Sequence, residues 1–100
     1  MTKLVLKKVR EIIENGWTQG SYARNQNGYS VAETSSDACC WCLSGALWKL
    51  DDSHDTSQAR QLLEEGCQKN GFNGIATFND YPQTTKQDVL NLIDSVMETL

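Results

Sequence analysis

One hundred residues is the length of one domain, and two independent cores would not fit. Hydrophobic residues make up 39% and charged residues 22%, ordinary globular values that exclude a wholly disordered chain and a coiled coil. A net charge of −4 argues against duplex nucleic acid as a direct partner, and no run approaches the roughly 20 apolar residues of a membrane span.

Charge is uneven along the chain. Residues 1–50 carry +2 and residues 51–100 carry −6. Solvated helix faces are the simpler account of this, and an acidic face built from the second half is the alternative. Lys3, Lys7, Lys8 and Arg10 interrupt the apolar residues at the N-terminus, so no signal peptide is expected and a cytoplasmic location is.

The first segment predicts a helix. Leu4, Val5, Val9, Ile12 and Ile13 recur at helical spacing, with Thr2 as N-cap and Asn15-Gly16 as the stop. Next, Ser21-Tyr22-Ala23-Arg24 and Tyr29-Ser30-Val31-Ala32 flank Asn25-Gln26-Asn27-Gly28. Asn-Gly tolerates positive φ, so this reads as a small hairpin lying against helices.

Thr34-Ser35-Ser36-Asp37 reads as a cap cluster opening a central, mostly buried helix over residues 37–50. Gly45 inside it costs up to about 1 kcal/mol relative to Ala, which points to a close backbone approach. A polar linker through Asp51, Asp52 and His54 leads to a third helix. Thr56 or Ser57 caps it, Leu62, Leu63 and Cys67 lie on its stripe, and Asn70-Gly71 ends it. Residues 72–82 read as an irregular connector whose Ile75, Phe78 and Tyr81 enter the core. Thr85-Lys86-Gln87-Asp88 resembles a capping box for a last helix with Val89, Leu92, Ile93, Val96 and Leu100 buried. The expected fold is mainly α: four helices in a single domain, 1–100, with a small hairpin between the first two. If residues 75–78 pair with the hairpin, a three-stranded α+β arrangement results instead.

The cysteines are Cys39, Cys40, Cys42 and Cys67. Most simply they are small buried hydrophobes. Cys39 and Cys42 with His54 and Cys67 would make four zinc ligands, but strong zinc patterns carry two close pairs and here the second half is scattered. No metal and no cofactor is expected. Cys39 or Cys40 in a first helical turn would have a lowered thiol pKa, yet the only histidine, His54, sits in the acidic linker.

Trp17, Trp41 and Trp48 are large for a small core. Trp48, near a helix end beside Lys49, is the candidate partner-facing anchor, with Asp51, Asp52, Glu64 and Glu65 as the acidic groups around it. Trp17, Gln19, Cys42, Gly45, Asn79 and Asp80 are expected to form a structural polar and packing cluster. The functional alternative is a polar pocket shared with the Cys42 thiol.

The order Gly16-Trp17-Thr18-Gln19-Gly20, then Trp41-Cys42-Leu43-Ser44-Gly45-Ala46-Leu47, then Asn79-Asp80 resembles an uncharacterised family of small bacterial and bacteriophage proteins, a domain of unknown function. Cys39, Cys40 and His54 lie outside that pattern. The resemblance implies a whole small protein and carries no catalytic role. With no catalytic triad or P-loop, the sequence reads as a non-enzymatic protein–protein interaction module. Its partner is a host or cellular protein, with no nucleic acid or membrane, and it is itself a monomer or homodimer. A cysteine-dependent enzyme or thiol-reactive protein is the alternative.

Overall fold

The computed structural model describes residues 1–100. The chain runs α1 (Thr2–Asn15), β1 (Ala23–Arg24), β2 (Cys40–Trp41), α2 (Leu43–Asp51), α3 (Ser57–Lys69), α4 (Ile75–Asp80) and α5 (Lys86–Glu98). It is mainly α, with one small antiparallel strand pair.

In α1, Val5, Leu6, Val9 and Ile13 are fully buried. They bring the helix against α5 and α2. The N-cap is Met1, and no side chain caps this end. Packing of the apolar stripe therefore holds a helix whose first turns are basic. Arg10 closes the α1–α5 contact from the rim: Nε donates to Asp94 Oδ1 at 2.7 Å and Nη2 to Oδ2 at 3.1 Å. The helix stops at Gly16, where a Cβ would stand 2.0 Å from the Cys39 carbonyl oxygen. Only glycine lets residue 39 pass this close.

The expected hairpin is present and short, its arms paired at Arg24 and Ser30 and bonded from the Asn25 N–H to the Tyr29 carbonyl at 2.9 Å and from the Val31 N–H to the Ala23 carbonyl at 3.0 Å. Gly28 takes φ +83°, and Asn25 exchanges backbone hydrogen bonds with Gly28 and Tyr29. Along its other edge the first arm, β1, pairs Ala23 and Arg24 with Trp41 and Cys40. Trp41 is covered and brings hydrophobic area to the pairing, while Tyr29 is 69% exposed. On its other side Trp41 bonds Gly16 and Thr18 through backbone groups at 2.9 and 3.1 Å.

The helix expected over 37–50 therefore begins only at Leu43. Thr34-Ser35-Ser36-Asp37 forms turns, and Cys39 and Cys40 lie before the helix, not in its first turn. Cys42 is the N-cap, its Sγ accepting from the Gly45 N–H at 3.2 Å. Leu43, Ala46, Leu47 and Leu50 are buried.

Helix α3 buries Ala59, Leu63 and Cys67, and Gly66 lets Leu92 and Val96 of α5 approach. The connector expected to be irregular contains α4, which raises the helix count to five and removes residues 75–78 as a third strand. No side chain of its own caps α4. Glu64 of α3 reaches across, and Oε1 accepts from the Ile75 N–H at 3.0 Å. Ile75 and Phe78 enter the core, but Tyr81 is exposed and packs edge-on against Phe72. Thr85 and Asp88 form the expected capping box of α5. Leu100 lies past the end of that helix and is exposed.

Candidate functional site

Two surface features flank the outer side of α2. The first is built on Asn79, which is 1% exposed and sits near the end of α4. Its Oδ1 accepts from the Trp17 indole N–H at 2.8 Å and from the Leu43 N–H at 3.0 Å. Its Nδ2 donates to the Thr18 carbonyl and to Asp80 Oδ1, both at 3.1 Å. Four partners exhaust the amide. Asn79 thus pins α4 to the start of α2 and to the segment after α1. Gln19 adds a second tie, its Nε2 donating to the carbonyls of Asn79 at 3.0 Å and Tyr81 at 2.9 Å. Asp80 Oδ1 accepts from the Gly20 N–H at 3.0 Å. Trp17, Gln19, Asn79 and Asp80 are therefore brought together. Gly45 lies beside them, under the Tyr22 carbonyl.

Beside this network opens a cavity of about 410 Å³, lined by Tyr22, Cys42, Ser44, Ala76, Asn79 and Asp80 among others. The Cys42 thiol does share it. That thiol is buried, and burial pushes its pKa above the ordinary value, outweighing the Gly45 N–H that favours the thiolate. No histidine lines the cavity. His54 lies beyond the far end of α2, about 13 Å of helical rise away, with Nδ1 paired to Ser53 Oγ at 2.8 Å.

The second feature is a shallow groove of about 510 Å³ at the other end of α2, where Trp48, Asp51, Asp55, Arg60 and Glu64 face one another. Trp48 is 45% exposed. The Arg60 guanidinium stands 4.8 Å from its ring centroid, which braces the indole by a cation–π contact. Asp51 Oδ1 accepts from the buried Thr56 hydroxyl at 2.7 Å. Asp55 is held below the ordinary carboxylate range by hydrogen bonds from the Ser57 hydroxyl and N–H. Ser44, Trp48 and Asp51 are spaced i, i+4, i+7, so one helical face joins the cavity to the groove.

Of the five binding residues expected from sequence, Trp48, Asp51 and Glu64 line this groove. Glu64 also caps α4. Asp52 is exposed as the C-cap of α2, and Glu65 lies outside the groove lining, in a hollow between α3 and α5, where it accepts from the groove-lining Gln61 Nε2 at 3.5 Å. Sequence reasoning missed Arg60 and Asp55, which only the α2–α3 turn carries to Trp48. No three of the His, Cys, Asp and Glu side chains converge as a ligand set, so Cys39, Cys42, His54 and Cys67 build no zinc centre.

No helix is long and apolar enough to cross a membrane. No curated protein and no solved structure matches the chain. A family model does: residues 2–99, which take in the whole Trp17–Asn79–Leu43 junction and the Trp48 groove, match DUF6197, a family of unknown function, and the chain belongs to that family.

Proposed function

We propose that this protein is a small interaction module whose docking face is the outer side of α2 with the start of α3, and whose anchor is Trp48. The observation that carries this reading is a half-exposed tryptophan held in one orientation by Arg60 and ringed by Asp51, Asp55 and Glu64. A braced aromatic loses little entropy on binding, and Trp is enriched among residues that dominate interfaces. The surrounding carboxylates favour a partner segment bearing Lys or Arg. Four free thiols and the resemblance to small bacterial and phage proteins support an accessory factor acting on a host or cellular protein in the cytoplasm. A Cys42-centred enzyme is the weaker reading, because that thiol is buried with a raised pKa, Asp80 in the same cavity raises it further, and no histidine lines the cavity.

The test is capture from host lysate by wild type, Trp48→Ala and Glu65→Lys, followed by binding kinetics with the identified partner across a salt series. Trp48→Ala should weaken binding by about 2 kcal/mol or more, roughly 30-fold. Glu65→Lys, at the edge of the groove, should slow association at low salt and leave dissociation unchanged. The on-rate should fall as salt rises. Unchanged affinity of Trp48→Ala would remove this docking face.

A further inference from the structure

We propose that Cys39 and Cys40 form a vicinal dithiol that captures trivalent arsenicals as a two-sulfur chelate. The site lies at the mouth of the groove between the turn at 25–28 and the segment 36–38. Successive side chains of an extended strand point to opposite faces. Cys39 and Cys40 depart from that rule: their two sulfurs stand 4.0 Å apart, in contact. Both thiols are free and half-buried. Cys39 opens into a polar cavity of about 400 Å³ lined with Asn25, Asn27, Ser36 and Asp37.

The backbone beneath the pair is fixed. The Cys39 N–H donates to the Arg24 carbonyl at 2.9 Å, the Cys39 carbonyl rests on Gly16, and Cys40 is paired with Arg24 in the sheet. Closing a chelate therefore requires only side-chain rotation. The donor set also selects the ligand. No third His, Cys, Asp or Glu joins the pair, so the four-ligand shell of structural zinc is not on offer. Two soft sulfurs suit a soft centre that keeps a substituent of its own.

Burial and the neighbouring Cys39 thiol hold Cys40 protonated. Capture does not need a free thiolate. With an organic arsenic(III) oxide, two arsenic–sulfur bonds form and the arsenic–oxygen bond breaks. The oxygen leaves as one water carrying both thiol protons. Arsenic stays trivalent and nothing is oxidised. The second bond forms within the molecule, at an effective concentration of about millimolar, so the chelate exceeds single-thiol capture by about 10²–10⁴-fold.

The experiment treats the reduced full chain with phenylarsine oxide and reads adducts by native mass spectrometry. A single phenylarsenic per chain is expected, retained in excess glutathione and removed by the dithiol 2,3-dimercaptopropanol. Cys39→Ser and Cys40→Ser should each weaken capture by about 100-fold or more. Cys67→Ala should leave it unchanged. If Cys40→Ser does not fold, the wild-type peptide map decides: the adduct must shield both Cys39 and Cys40 from N-ethylmaleimide. Removal by glutathione, full capture by Cys39→Ser, or an adduct mapped to Cys42 or Cys67 would overturn the proposal.

Discussion

Gly45 and Tyr22 meet backbone to backbone: a methyl group on Gly45 would stand 1.9 Å from the Tyr22 carbonyl oxygen. Helix propensity alone favours Gly45→Ala by up to about 1 kcal/mol. The clash opposes it, and because the obstructing atom belongs to the main chain it cannot swing aside. Overpacking of this kind costs about 1–3 kcal/mol or more. Gly45→Ala should therefore lose stability on balance, by about 2 kcal/mol. Urea melts measure this, and a variant as stable as wild type would mean that the segment beside β1 is free to move off α2.

Asn79→Ala leaves the Trp17 indole N–H and the Leu43 N–H without their acceptor. An orphaned buried donor costs about 1–3 kcal/mol, so the variant should lose about 3 kcal/mol or more. Trp17 fluorescence should shift to the red as α4 loosens. Asn79→Asp keeps the acceptor but replaces the Nδ2 donor to the Thr18 carbonyl with an oxygen and sets a carboxylate against Asp80. It should rescue only part of the loss in the same melts.

Cys42 serves as a cap, and its replacements should rank accordingly. Ser presents a better acceptor to the Gly45 N–H and should stay within about 1 kcal/mol of wild type. Ala forfeits the cap at a cost of about 1 kcal/mol. Leu overfills a buried position and should cost about 1–3 kcal/mol. In the native state Cys42 should resist iodoacetamide while Cys39 reacts, as peptide mapping can read.

Cys67 gives the stability a signature at high pH. Burial, reinforced by Glu64, raises its pKa from 9.0 to about 12. Above pH 9 the unfolded chain releases this proton and the folded chain keeps it, so folding weakens as pH rises through that window. The stabilisation is fully present below pH 9 and is lost on the way to pH 12. Denaturant melts at pH 8 and pH 10 should show a steeper loss for wild type than for Cys67→Ala.

Local chemistry made part of this architecture legible. Gly71, at φ +91°, follows the end of α3 where its backbone preference says it should, and Thr85 with Asp88 closes a capping box within four residues; Gly16 also marks a helix end, but it is extended there and is required by the passage of residue 39. The errors fall where the deciding partner is distant. Residues 38–41 are short and apolar, a run whose periodicity does not distinguish strand from helix, and their extended form depends on Gly16 and Arg24. Helix α4 is six residues long and borrows its cap from Glu64, eleven positions upstream. Within the candidate site, Trp48 stood out by residue type, but nothing local linked it to Arg60. Asn79 was visible as a short polar residue among bulky ones, while its partners at 17, 18 and 43 belong to other segments.

The packing of α5 on α1, tied by Asp94 to Arg10 and by the Lys86 ammonium to the Glu14 carbonyl, has a meaning for the chain during its synthesis. The stripe of α1 is covered in part by a helix that begins 72 positions after Glu14. Until residues 86–98 have cleared the ribosome, Val5, Leu6, Val9 and Ile13 lack the part of their cover that α5 supplies, and the nascent chain carries a partly open apolar stripe flanked by lysines. Folding of this domain is then complete only after α5 has emerged. A stalled product ending before Lys86 would be a client for holding chaperones and proteases, not a partly working protein.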